Sequence, residues 1–88
     1  MSIEKKIKIS VVTSKCHHYK PGDAIYLNGP MLDLEKSDAV CMSALNAIYP
    51  FVYAARKGVD AEGMGFDEMI FQCPDGPETV EFRIEASE

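Results

Sequence analysis

Three cysteines and two histidines are the side chains of this sequence best suited to bind a metal ion. Cys16, His17 and His18 are consecutive, whereas Cys41 and Cys73 are distant from them in sequence. Thiolate and imidazole are ligands that Zn²⁺ prefers, and thiolates also hold iron–sulfur clusters. Because neighbouring side chains of a strand point to opposite faces, one Cys and one His of the consecutive group could share an ion, but not all three residues.

The predicted positions of the cysteines in the fold favour a shared site more strongly than their spacing in the sequence does. Zinc sites commonly contain close pairs such as C-x2-C, and this chain has none. Cys16 precedes the turn of one predicted hairpin and Cys73 the turn of another, so their sulfurs are neighbours if both tips lie at one end of the sheet. Cys41 joins them if the connection over residues 28–40 returns to that end, and at about 3.3 Å per residue it is long enough.

The predicted site is therefore Cys16, Cys41 and Cys73 at one end of the domain, completed by His17 or His18. Such a thiolate set suits Zn²⁺ first and an iron–sulfur cluster second. Two further interpretations stay open. Free cysteines are among the most buried residue types, so all three could be core residues, with the histidines solvated in a turn. A thiol enzyme using Cys41 ranks last, because the sequence shows no acid–base partner for it.

Two hairpins are predicted around these residues. Apolar residues at positions 7, 9 and 11 alternate with polar ones, which is typical of a strand with one buried face. A Pro-Gly turn over residues 19–23 leads to a second strand at 24–27, which Asn28-Gly29-Pro30 ends. Strands at 69–73 and 80–85 flank the turn Pro74-Asp75-Gly76-Pro77 and form the second hairpin.

One helix is predicted between the hairpins, over about residues 38–57. Its apolar residues recur at helical spacing, and they are Cys41, Leu45, Ile48, Val52 and Ala55. Ser37 and Asp38 are the predicted N-caps, and Gly58 ends the helix. Pro50 lacks an N–H and clashes with the preceding turn, so we expect a kink or a break there.

These elements predict a single α+β domain over residues 1–88, with the order ββαββ. The sheet is expected to be mainly antiparallel and four-stranded, with one Pro-kinked helix on one face. The predicted core is Ile7, Ile9, Val11, Leu45, Ile48, Val52, Phe71, Phe82 and Ile84. A domain of this size has a thin core, so we expect a homodimer through the helix face around Tyr49 and Tyr53, or through a sheet edge.

Charge and hydropathy argue against two classes of partner. The formal net charge is −5, and Arg83 is the only basic residue in the segment 60–88, so we expect no nucleic-acid binding. No apolar run approaches the roughly 20 residues that span a bilayer, and we expect no membrane association. An odd number of cysteines and no apolar leader are typical of a cytoplasmic protein. The sequence identifies no particular small ligand or protein partner.

Three segments also form a recognisable pattern: Cys16 with Tyr19-Lys20-x-Gly22-Asp23, then Cys41-x-Ser43-Ala44-Leu45-x-Ala47-x-Tyr49-Pro50, and Cys73-Pro74-Asp75. They resemble a family of small, functionally uncharacterised prokaryotic proteins of similar length. The resemblance extends from the first strand to the last. It implies that the three cysteines belong together as a set, and it implies no particular reaction.

Overall fold

A computed structural model describes residues 5–74 and 76–87 of the chain. Its central strand, β1 (Lys6–Ser14), follows the predicted alternation, with Ile7, Ile9 and Val11 buried on one face. β1 pairs antiparallel with β2 (Ala24–Asn28) on one side and with β5 (Val80–Ser87) on the other. The first and last strands of the chain are therefore neighbours in the middle of the sheet.

The sheet of the described residues has five strands, where the sequence predicted four. β3 (Met31–Leu32) pairs with β2, and β4 (Ile70–Gln72) pairs with β5, which gives the order β3-β2-β1-β5-β4 with every pair antiparallel. The α+β class is confirmed, and the four-strand count is wrong. The turn expected only to end β2 reverses the chain, because Gly29 adopts a φ of 57° that returns Leu32 to pair with Leu27.

Residues 33–38 cover the rest of the outer edge of β2. The Ser37 hydroxyl accepts the N–H of Tyr26 at 2.8 Å, and an Asp38 carboxylate oxygen accepts the N–H of Ala24 at 2.8 Å. The sequence predicted Ser37 and Asp38 as N-caps of the helix, and that prediction is wrong. Their side chains satisfy backbone donors of β2, which would otherwise lie unpaired beside the sheet.

The described residues contain one α-helix, α1 (Met42–Arg56), which begins a few residues later than predicted and continues through Pro50, where the sequence predicted a kink or a break. Asn46 and Pro50 are both exposed, so the carbonyl that loses its N–H partner lies on the solvent side of the helix. The chain leaves the helix at Gly58, whose φ of 89° favours glycine. No helix among the described residues is long and apolar enough to cross a membrane.

The core lies between α1 and one face of the sheet. All nine predicted core residues are buried, so this prediction is confirmed. The core also contains residues that the sequence analysis did not select, namely Tyr19, Ile25, Leu27, Ala44, Ala55, Cys73 and Val80. One helix stripe and the alternate residues of four strands therefore fill a single layer.

The segment after the helix contains regular structure and adds an aromatic residue to the core edge. It contains a short 3-10 helix (Glu62–Met64), and Phe66 then lies edge-on to Phe51 and Phe71 at ring-centre distances of 5.7 and 5.3 Å. Phe51 and Phe71 stack on each other at 4.1 Å. The three rings close the side of the core next to β4.

Truncation of the core should unfold much of this domain. Ile48 and Phe82 are 1% and 0% exposed, so replacing either with alanine removes buried contacts and leaves a cavity, at a cost of about 2–5 kcal/mol in the free energy of unfolding. Urea denaturation measures this change. Leu34→Ala is the control, because Leu34 is 71% exposed and its truncation should change stability by less than about 0.5 kcal/mol. Equally small effects at Ile48 and Phe82 would contradict the described core.

Candidate functional site

The three cysteines lie at the same end of the sheet. Ser14, the last residue of β1, is opposite Val80, the first residue of β5. Cys73 follows β4 and donates its N–H to the carbonyl of Val80 at 3.1 Å. Cys16 lies two residues after Ser14, in the next turn. The hairpin tips that carry Cys16 and Cys73 are thus at one end, as the site prediction requires.

Tyr19 connects this end to the start of the helix. Its N–H donates to the carbonyl of Cys16 at 3.3 Å, and its hydroxyl oxygen accepts the N–H of Cys41 at 2.8 Å. Cys41 is the N-cap residue of α1, and its own side chain makes no capping hydrogen bond. Through its backbone and its hydroxyl, Tyr19 therefore joins two cysteines that are far apart in sequence.

The environment of Tyr19 changes its acidity. The side chain is 6% exposed, and its ring meets the Phe82 ring edge-on at 5.4 Å. Burial raises the pKa of the Tyr19 phenol above its ordinary value of 10.0; the N–H of Cys41 opposes this, and the Cys41 and Cys16 thiols and the Asp23 carboxyl add to it. Two thiols and a carboxyl are therefore close enough to Tyr19 to act on its charge.

A serine shapes the turn that presents Cys16. The Ser14 hydroxyl lies 2.9 Å from the carbonyl oxygens of both Cys16 and Tyr19, and it accepts the N–H of Cys16 at 3.1 Å. At the other side of the turn, an Asp23 carboxylate oxygen accepts the N–H of Lys20 at 3.1 Å. These local bonds fix the turn without a disulfide, since all three cysteines are free.

The cysteines differ in their surroundings. Cys73 is buried, and its Sγ accepts the N–H of Val80 at 3.3 Å within the second hairpin. Cys16 and Cys41 are half-buried and border the core. The two that approach Tyr19 are therefore the more accessible pair, whereas Cys73 is enclosed by its own hairpin.

The two histidines are exposed and lie against each other, with ring centres 3.9 Å apart. His18 lines a cleft of about 240 Å³ together with Ala39, Val40 and Cys41. His17 and His18 both line an adjoining cleft that also contains Asp23. The structure thus brings His18, rather than His17, next to the helix cysteine.

These donors share one end of the sheet without forming a closed ligand set. Within residues 5–74 and 76–87, no group of three or more His, Cys, Asp or Glu side chains is placed to hold a metal ion. Cys16 and Cys41 are hydrogen-bonded to Tyr19, His18 lines the cleft beside Cys41, and Cys73 lies in the second hairpin with its sulfur bonded to a backbone N–H. The three-cysteine metal site stays a prediction.

Sequence analysis missed Tyr19 and Ser14 as organising residues. Tyr19 belongs to a segment predicted as a turn, where an exposed position is usual, and no role was predicted for Ser14. A large aromatic residue two positions before Pro21-Gly22 was the available signal, because turns seldom need one. Comparisons with protein-family models, curated proteins and solved structures find no match to this chain.

Removing the Tyr19 hydroxyl should loosen the start of the helix. Tyr19→Phe keeps the buried ring but leaves the N–H of Cys41 without its acceptor, at a cost of about 1–3 kcal/mol in the free energy of unfolding. Tyr53→Phe, at a half-exposed ring, is the matched control and should have little effect. Hydrogen exchange at the Cys41 amide should accelerate in Tyr19→Phe alone, and an unchanged rate would contradict the hydrogen bond.

Tyr19 should also ionise at a pH above the ordinary phenol pKa of 10.0. Since its pKa is raised in the folded state, the unfolded state loses the phenol proton first, and stability falls as the pH rises above 10.0. Below that pH the phenol contributes no pH dependence. Ultraviolet titration of tyrosinate should show a late phase that is absent in Tyr19→Phe, and a late phase that survives this change would contradict the assignment.

Proposed function

We propose that this domain is a non-enzymatic binding domain that holds a soft metal ion, Zn²⁺ in the first place, at the cysteine end of the sheet. The observation that carries the proposal is that Cys16 and Cys41, from separate segments, are both hydrogen-bonded to Tyr19: the Cys16 carbonyl accepts its N–H, and the Cys41 N–H donates to its hydroxyl. Half-buried free thiols on two elements provide soft ligands at one location.

Two further residues supply donors of the same chemistry. His18 lines the cleft beside Cys41, and neutral imidazole is a common zinc ligand. The sulfur of Cys73 already accepts a backbone N–H, which is the kind of hydrogen bond that stabilises thiolates in metal centres. Because Cys73 is enclosed in its hairpin, Cys16, Cys41 and His18 are the residues proposed to make first contact with the ion.

Cobalt(II) titration of the fully reduced protein tests this proposal, because cobalt bound to thiolate gives a charge-transfer absorption. We expect saturation at one ion per chain and displacement of cobalt by zinc. Cys16→Ser and Cys41→Ser should each weaken the affinity by at least about tenfold. His18→Ala should weaken it as well, whereas His17→Ala, at the neighbouring tilted ring, is the matched control and should not.

Circular dichroism of each variant separates loss of ligand from loss of fold. Absence of thiolate-to-cobalt absorption in the folded, reduced wild type would overturn the proposal. Rapid alkylation of Cys41 that depends on His18, with no metal bound, would also overturn it and favour a thiol enzyme instead.

Self-association is the second candidate function, and an exposed stripe of α1 favours it. Met42 and Tyr53 are 70% and 51% exposed, and they lie on one helix face with the half-buried Tyr49. The Tyr49 hydroxyl accepts a hydrogen bond from Arg56 Nη1 at 2.7 Å, and the Arg56 guanidinium lies 5.2 Å from the Tyr53 ring centre. A second copy could cover this aromatic stripe.

Sedimentation measures whether the chain dimerises. We expect a dimer at high micromolar concentration, and Tyr53→Glu should dissociate it by placing a charge in an apolar contact. Leu34→Glu is the control, since Leu34 is 71% exposed but lies outside the helix. A monomeric wild type at that concentration would contradict the dimer.

A further inference from the structure

A cluster of three lysines lies around a tyrosine on the face of the sheet that α1 leaves open. Lys6 and Lys8 of β1 and Tyr26 of β2 project there, because the alternate residues of both strands fill the core. Lys8 and Tyr26 are direct cross-strand partners. Lys36, from the segment that covers the β2 edge, lies over the same ring. These four residues form the lysine cluster.

The Tyr26 ring contacts the ammonium groups of two of these lysines without neutralising their charge. Lys36 Nζ lies 4.8 Å from the centre of the Tyr26 ring, and Lys8 Nζ lies 5.9 Å from it. A ring quadrupole attracts an ammonium group but carries no net charge. In the described part of the chain, Lys6, Lys8 and Lys36 form no ion pair with a carboxylate. Glu85 of β5 is the direct cross-strand partner of Lys8 on the same face and opposes part of this charge, so the three ammonium groups leave a net positive charge for an anion.

The lysine cluster borders a cavity that offers further hydrogen-bond donors. The cavity has a volume of about 280 Å³ and is also lined by Asn28, Asp33 and Ser87. The Asn28 amide and the Ser87 hydroxyl can donate to an anion. Asp33 brings one opposing charge, and its Oδ1 accepts the backbone N–H of Lys36 at 3.1 Å. The cavity thus has a net positive charge in a chain of formal net charge −5.

We propose that the lysine cluster binds the phosphate group of a small phosphate monoester. Lysine is a common phosphate ligand, and three ammonium groups match a dianion better than they match a single carboxylate. The cavity volume is slightly below the range of about 300–1,000 Å³ that is typical of drug-sized ligands, which fits a compact ester. Lys6 pairs with Asn28 and Ser87, at the end of the sheet opposite to the cysteines, so this site is separate from the metal site.

NMR titration of the amide groups tests the proposal, with ribose 5-phosphate, inorganic phosphate and a short single-stranded oligonucleotide as probes. Ribose 5-phosphate should shift the amides of Lys6, Lys8, Tyr26 and Lys36 in a saturable way. It should bind at least as tightly as inorganic phosphate. The affinity should fall severalfold as sodium chloride is raised from about 0.02 to about 0.3 M, because the contacts are partly solvated.

Two double variants with the same change in net charge separate a site from a general charge effect. Lys8→Gln with Lys36→Gln should weaken ribose 5-phosphate binding about tenfold. Lys15→Gln with Lys20→Gln, exposed lysines at the cysteine end, should change it less than about twofold. Tyr26→Leu keeps every charge but removes the ring, and it should weaken binding severalfold.

Three outcomes would overturn the proposal. The first is no saturable binding of ribose 5-phosphate at about 20 mM, far weaker than a built site gives. The second is equal weakening in both double variants, which would reflect net charge alone. The third is an oligonucleotide that binds more than about tenfold tighter per phosphate than the ester, which would identify a polyanion surface.

Discussion

The pairing of β1 with β5 is the interaction on which the rest of the fold depends. It joins the beginning of the chain to its end, from Lys6 opposite Ser87 to Ser14 opposite Val80. β2 attaches to the outer side of β1 and β4 to the outer side of β5. The helix packs on the face that these strands share, so neither hairpin could bury its apolar residues without the other. Such long-range closure has to offset a large loss of chain entropy before the core contributes.

An irregularity in that pairing determines how the cysteine end is built. The register shifts between Val11 and Thr13, so one extra residue of β1 lies in a bulge. After the bulge Ser14 is opposite Val80, a buried residue, and directly opposed residues share a face of the sheet. The Ser14 hydroxyl is thereby placed at the carbonyl of Cys16, and the same turn directs Tyr19 to the helix start.

The two ends of the sheet differ in chemistry. One end gathers thiols, a histidine and a buried phenol around the N-terminus of α1. The other end places the ammonium groups of Lys8 and Lys36 around Tyr26 on the open face. Because β1 runs the full length of the sheet, its first residues lie at one end and its last residues at the other. The sheet therefore keeps the thiols and the ammonium groups apart in a chain of 88 residues.

Sequence by itself determined the elements and the core, because period-two and helical alternation report directly which face of each element is buried. Ile7, Ile9 and Val11, with the helix stripe from Leu45 to Val52, needed only that pattern. The N-cap prediction was wrong. Ser37 and Asp38 have side chains typical of N-caps, and only the tertiary structure shows that they accept backbone N–H groups of β2 instead. β3 was missed since two residues show no periodicity.

Tyr19 and Tyr26 are the same residue type and lie close together in the sequence, yet Tyr19 is buried beside two cysteine residues and Tyr26 lies among lysines. The register of distant strands decides their surroundings, and a linear pattern limits that register to alternate residues without selecting one of them.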